Sequence, residues 1–105
     1  MKDKYLPIGT VVKLKGGEKN LMITSYLIFS IVQKTKEKKI FDYGACPFPE
    51  GIVESSYGIG FNHDEIEKII HLGLINDDQK KFNDLINKSA DDIKKHYEEL
   101  ANSEQ

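Results

Sequence analysis

The chain has 105 residues, 39% hydrophobic and 30% charged, with a formal net charge of −2. That length supports one folded core and not two, so a single domain over 1–105 is expected. A near-neutral chain whose fifteen basic residues are all Lys excludes a nucleic-acid binder built on a broad basic face, and it lacks the forked Arg that reads phosphate.

The charge is uneven. Residues 1–60 hold nine Lys against six acids (+3), and residues 61–105 hold six Lys against eleven acids (−5). The single cysteine, Cys46, cannot form an internal disulfide, which fits a reducing cytoplasm. After Met1 and Lys2 the apolar run a signal peptide needs is broken by Pro7, Gly9 and Lys13. The longest apolar stretch, residues 21–32, is too short to span a bilayer as a helix. These features give an expectation of a cytoplasmic protein with no membrane insertion.

In chain order, the first sixty residues read as β structure. Residues 10–15 (TVVKLK) are rich in β-branched side chains and bounded by Gly9 and by Gly16 and Gly17. A turn through Glu18, Lys19 and Asn20 leads to a long strand at 21–33, apolar on both faces and therefore central or bent. Residues 34–38 (KTKEK) make a charged hairpin tip, a solvated end that could also dock an acidic partner, and 39–43 return as a third strand. Pro47, Pro49 and Gly51 argue against a regular central strand within 44–56, and 57–61 form a short strand.

Residues 61–73 (FNHDEIEKIIHLG) carry the signs of a helix start. Asn62 is placed to cap it, Glu65 to reach back to the Asn62 amide, and Phe61 and Ile66 to form a hydrophobic staple. Asp64, Glu65 and Glu67 suit the positive end of the dipole, Ile66, Ile69 and Ile70 make one stripe, and Gly73 stops the helix. A helix over 63–72, packed on one sheet face, follows. Asn76 with Gln79 starts a second helical region at 77–101, either one helix or two broken near 87–89, where Ser89 and Asp92 offer another cap. Its thin apolar stripe, Phe82, Leu85, Ile86, Ile93, Tyr97 and Leu100, is marginal alone in water, so it needs cover from the sheet, a partner, or a homodimer through the C-terminal helix. Residues 102–105 read as a frayed tail. The fold expected is α+β: a curved, mainly antiparallel sheet of three or four strands over about 10–61, then two or three helices, with a barrel-like curl allowed by the glycine and proline punctuation.

Several residues resemble chemistry. Cys46 and His63 could pair as thiol and imidazole, but Cys46 is followed by Pro47 with no helix start to activate it. His63 and His71 are eight apart, two turns rather than the one turn of a metal-binding pair, and His96 lies elsewhere. The acid pairs Asp77, Asp78 and Asp91, Asp92 suit helix first turns. Gly58 and Gly60 precede the helix start, but no third Gly completes a dinucleotide fingerprint. No catalytic, cofactor or metal site is assigned. Exposed aromatics beside prolines (Tyr43, Phe48, Tyr57) and the apolar helix residues Phe82, Ile86, Ile93 and Tyr97 are the candidate partner-binding residues.

Three segments carry a resemblance. Residues 5–17 (YLPIGTVVKLKGG) with 19–23 (KNLMI), residues 42–51 (DYGACPFPEG) and residues 61–66 (FNHDEI) running to Gly73 occur in this order. Over about residues 5–85 the chain resembles the small bacterial family catalogued as domain of unknown function 4176. Its members occur in Gram-positive bacteria, often beside genes for type VII secretion and LXG toxins. The resemblance implies a cytoplasmic accessory protein, chaperone or adaptor that binds an effector toxin or secretion component, and it brings no known active site. An immunity protein that blocks a cognate toxin, with its acidic helices imitating an anionic substrate, is the alternative. A small enzyme with an unrecognised pocket near Cys46 and His63 is a third.

Overall fold

In a computed structural model of the chain, the structure describes residues 5–31, 38–52 and 59–103. Five strands, β1 (Val11–Leu14), β2 (Asn20–Ile31), β3 (Lys38–Pro47), β4 (Ile59–Phe61) and β5 (Ile66–His71), form one antiparallel sheet. Their order is β4-β3-β2-β1-β5. A 3-10 turn, His63–Glu65, separates β4 from β5, and one helix, α1 (Asp77–Ser103), closes the chain. The class is α+β.

The two end strands are joined by four residues, 62–65, three of them in the 3-10 turn. A flat sheet at ~4.8 Å per strand would hold them about 19 Å apart. A connection this short spans only about 15 Å. The sheet must curl, and its concave side becomes the core. Residues from all five strands share one cluster: Val12, Leu21, Ile23, Tyr43, Ala45 and Phe61, with Leu14 and Ile66 packed against it.

Several sequence expectations are corrected. Among the described residues the sheet has five strands, not three or four, and α1 is one unbroken helix, so there is a single long helix instead of two or three. The expected helix over 63–72 is only its first turn. Glu65 does reach back, accepting the Asn62 backbone N–H at 2.7 Å. After that turn the chain extends and pairs with β1, Val12 opposite Ile69 and Leu14 opposite Ile66. Isoleucine favours strand at least as well as helix, and long-range pairing decides the matter.

β3 also runs on through Gly44, Ala45 and Cys46 to Pro47, where an irregular stretch is expected from the prolines. Gly44 is required in this strand: a Cβ there would meet Ser25 Oγ and lie 2.9 Å from Ile28 Cγ2. The helix continues to Ser103, into the stretch expected to fray. The lysine tip at 34–37 and Tyr57 lie outside the described residues. The second cap is made: Asn76 Oδ1 accepts the Gln79 N–H at 2.9 Å. No helix among the described residues is long and apolar enough to cross a membrane.

Candidate functional site

The site begins with an irregularity in β2. Leu27 has φ +52, a left-handed conformation that costs a leucine roughly 1–3 kcal/mol. The flanking pairs Tyr26–Tyr43 and Ile28–Phe41 put it opposite Asp42 of β3. Alternation of faces breaks there. Tyr26 and Leu27 both pack on the core, and Asp42 and Tyr43 are both buried. Ile28 and Phe41 instead lie over Gly44 and Gly60. The kink turns a carboxylate into the space between sheet and helix.

Asp42 is held there by three donors. Its Oδ1 accepts the Tyr5 hydroxyl at 2.8 Å and the Lys94 ammonium of α1, and its Oδ2 accepts the His63 backbone N–H at 2.9 Å. Burial alone would raise the Asp42 carboxyl, but Lys94, the His63 amide and the Tyr5 hydroxyl outweigh it and hold it below the ordinary carboxylate range. Burial, then the hydrogen bond to Asp42 and the charge of that carboxylate, push the Tyr5 phenol well above the ordinary tyrosine range. Asp42 therefore stays ionised and Tyr5 protonated at neutral pH. Neither is poised to exchange a proton near neutrality.

The same space holds the N-terminal segment. Leu6 N–H donates to the Tyr43 hydroxyl at 2.8 Å, which also shares a hydrogen bond with His63 Nδ1 at 3.1 Å. From the helix, Asn83 Nδ2 donates to the Tyr5 carbonyl at 2.6 Å, and Asn87 Oδ1 accepts the Tyr5 N–H at 3.3 Å. Gln79 Nε2 donates to the Tyr26 hydroxyl at 3.0 Å, and that hydroxyl donates to the Leu6 carbonyl. The rings of Tyr5, Tyr43 and His63 meet with centroids 4.6 to 5.4 Å apart. Among the described residues no buried side-chain polar atom lacks a partner. This cluster ties residues 5–7, the sheet and α1 together.

The sequence-derived candidates are scattered. Cys46 is buried on the face of β3 opposite Ala45, whereas His63 packs on the core side against Tyr5 and Tyr43, so the two are not brought together. His63 lies in the turn and His71 at the exposed end of β5. No group of three His, Cys, Asp or Glu side chains that could hold a metal occurs among the described residues. Tyr43 and Ile86 are buried and present no surface. Phe48 and Phe82 are exposed, Ile93 and Tyr97 are half-buried, and Tyr97 stacks on Phe29 with centroids 5.1 Å apart.

Two features escaped sequence reasoning. One is the Asp42 cluster, whose signal is an acid in the middle of an otherwise strand-forming run, IFDY at 40–43. The other is the β5 end of the sheet. From Glu67 to Leu72 every residue is exposed, including Ile69, Ile70 and Leu72, and Leu74 beyond them is 74% exposed. Gly73 anchors this segment: its N–H donates to Thr10 Oγ1 at 2.9 Å in a space too tight for a Cβ. Register shifts against β1 leave Glu67 and Ile70 as extra residues, two bulges that twist the edge.

The model of the family described as Domain of unknown function (DUF4176) matches residues 5–82. That span takes in Tyr5, the kink at Leu27, Asp42, Tyr43, His63 and all of β5, and it ends in the second turn of α1. No curated protein and no solved structure matches the chain.

Proposed function

The chain belongs to the DUF4176 family, and we propose that it is a non-catalytic binding protein. In this reading it acts in the cytoplasm as an accessory, chaperone or adaptor for a type VII-secreted effector toxin. The observation that carries the reading is the uncovered apolar end of the sheet. Ile69, Ile70, Leu72 and Leu74 are exposed on and after an end strand, and neighbouring exposed apolar side chains are a feature of protein contact surfaces. The saturated hydrogen bonding around Asp42 supports a structural role for the most polar part of the interior.

Co-expression with the products of the flanking genes, any LXG toxin among them, tests the reading. A stable complex is expected for the native chain and a weaker one for Ile70→Asp. The absence of a complex with any product of the locus would remove the proposal. The excess of acids over Lys in residues 61–105 favours, as a second reading, an immunity protein. Expression of this chain alone against the toxin separates the two: survival of the cells supports immunity, and altered export without survival supports the chaperone.

A further inference from the structure

We infer that the trough beneath α1 is a helix-binding groove with α1 as its resident occupant. A partner helix carrying an aliphatic, a small and a lysine side chain at four-residue spacing would compete for it. The inference rests on the protein-binding reading and gives the partner a chemistry.

The inward stripe of α1 is half polar: Gln79, Asn83, Ile86, Asn87, Ala90, Ile93, Lys94 and Tyr97. Among its described residues only Ile86 and Ala90 are buried, while Phe82 and Leu85 (56% exposed) stand largely outside. Helix and sheet are thus joined by hydrogen bonds that can be exchanged for bonds to water, by the buried Ile86 and Ala90, and by ring contacts of Phe82 with Tyr26 and of Tyr97 with Phe29.

The floor is better made than the lid. Two of the three donors on Asp42, the Tyr5 hydroxyl and the His63 amide, belong to the floor. The Asp42 carboxylate therefore has two donors besides Lys94, one of them on Tyr5, whose backbone is bonded to Asn83 and Asn87 of the helix. Around it stand the rings of Tyr5, Tyr26, Tyr43 and His63. The natural occupant is read from α1 itself: Ile86, Ala90 and Lys94 follow at four-residue steps on one helix face. Gly73 is tied to Thr10, whereas Leu74, Ile75 and Asn76 between it and the helix are exposed. The family match covers the floor residues and stops at Phe82, short of Asn83, Ile86, Ala90 and Lys94.

Opening makes the affinity for an incoming helix depend on the fraction of chains whose own helix has left. The test uses the full chain and a fluorescent peptide of residues 77–97. In the native chain, backbone amides of residues 83–97 should exchange with deuterium at least tenfold faster than those of Ile23 and Ala45. Lys94→Met in the chain should tighten binding of the peptide by about tenfold, the equivalent of one charge-assisted hydrogen bond removed from the resident helix. Equal exchange in α1 and the sheet, or peptide affinity unchanged by Lys94→Met, would overturn the inference. A toxin that binds while α1 keeps its native exchange would also overturn it and leave the protein-binding reading standing. Entry of the peptide without any toxin complex would do the reverse.

Discussion

β3 and β5 reverse the usual relation between composition and burial. β3 is buried from Asp42 to Cys46, a run containing an acid, a phenol, a glycine and a cysteine. β5 contains three isoleucines and is exposed from Glu67 to His71. The difference lies in position. β3 sits between β2 and β4 and under α1, whose contacts fall on β2 and β3, while β5 ends the sheet. An interior position makes even an acid worth keeping if its donors are supplied. An end position leaves apolar side chains exposed.

The contrast can be broken most severely at Asp42. Asp42→Ala leaves Lys94, the Tyr5 hydroxyl and the His63 amide without their acceptor and should cost about 3–5 kcal/mol by chemical denaturation. Acid probes the same group without mutation. Its folded pKa lies below its unfolded value of about 3.9, so its contribution is complete above that value and lost as pH falls through the folded pKa. Stability of the native chain should drop more steeply below about pH 4 than that of Asp42→Asn. Gly44→Ala, which forces a methyl against Ser25 and Ile28, should cost about 2 kcal/mol. Tyr43→Phe, which takes the acceptor from the Leu6 amide, should cost about 1–2 kcal/mol. At the other pole, Ile70→Thr should change stability by no more than about 0.5 kcal/mol and yet weaken the proposed toxin complex. A large loss of stability there would show that β5 is covered after all.

Much of the architecture was legible from local pattern. The β-branched run at Val11, the doubly apolar strand after Asn20 and the cap at Asn76 all act within a few residues of themselves. The 61–73 segment misled because its signals are true at short range. The Asn62–Glu65 contact exists, but it closes one 3-10 turn. The spacing of Ile66, Ile69 and Ile70 satisfies a helix, while pairing with β1 some fifty residues earlier selects a strand. Pro47, Pro49 and Gly51 argue against a strand beyond residue 43, yet β3 runs on to Pro47, and the close approach of Ser25 and Ile28 that makes Gly44 useful there comes from another strand. The Asp42 cluster was hidden for a similar reason. Its members, Tyr5, His63 and Lys94, meet only when the two ends of the chain close over the sheet.

The most direct test of the central claim measures affinity and thermal stability together, by titrating the effector toxin proposed as partner against the native chain and against an Ile70→Asp, Leu74→Asp double variant. The account predicts a complex with the native chain and at least tenfold weaker binding by the variant, with its melting temperature kept. No complex with the native chain, or undiminished affinity in a folded variant, would contradict it.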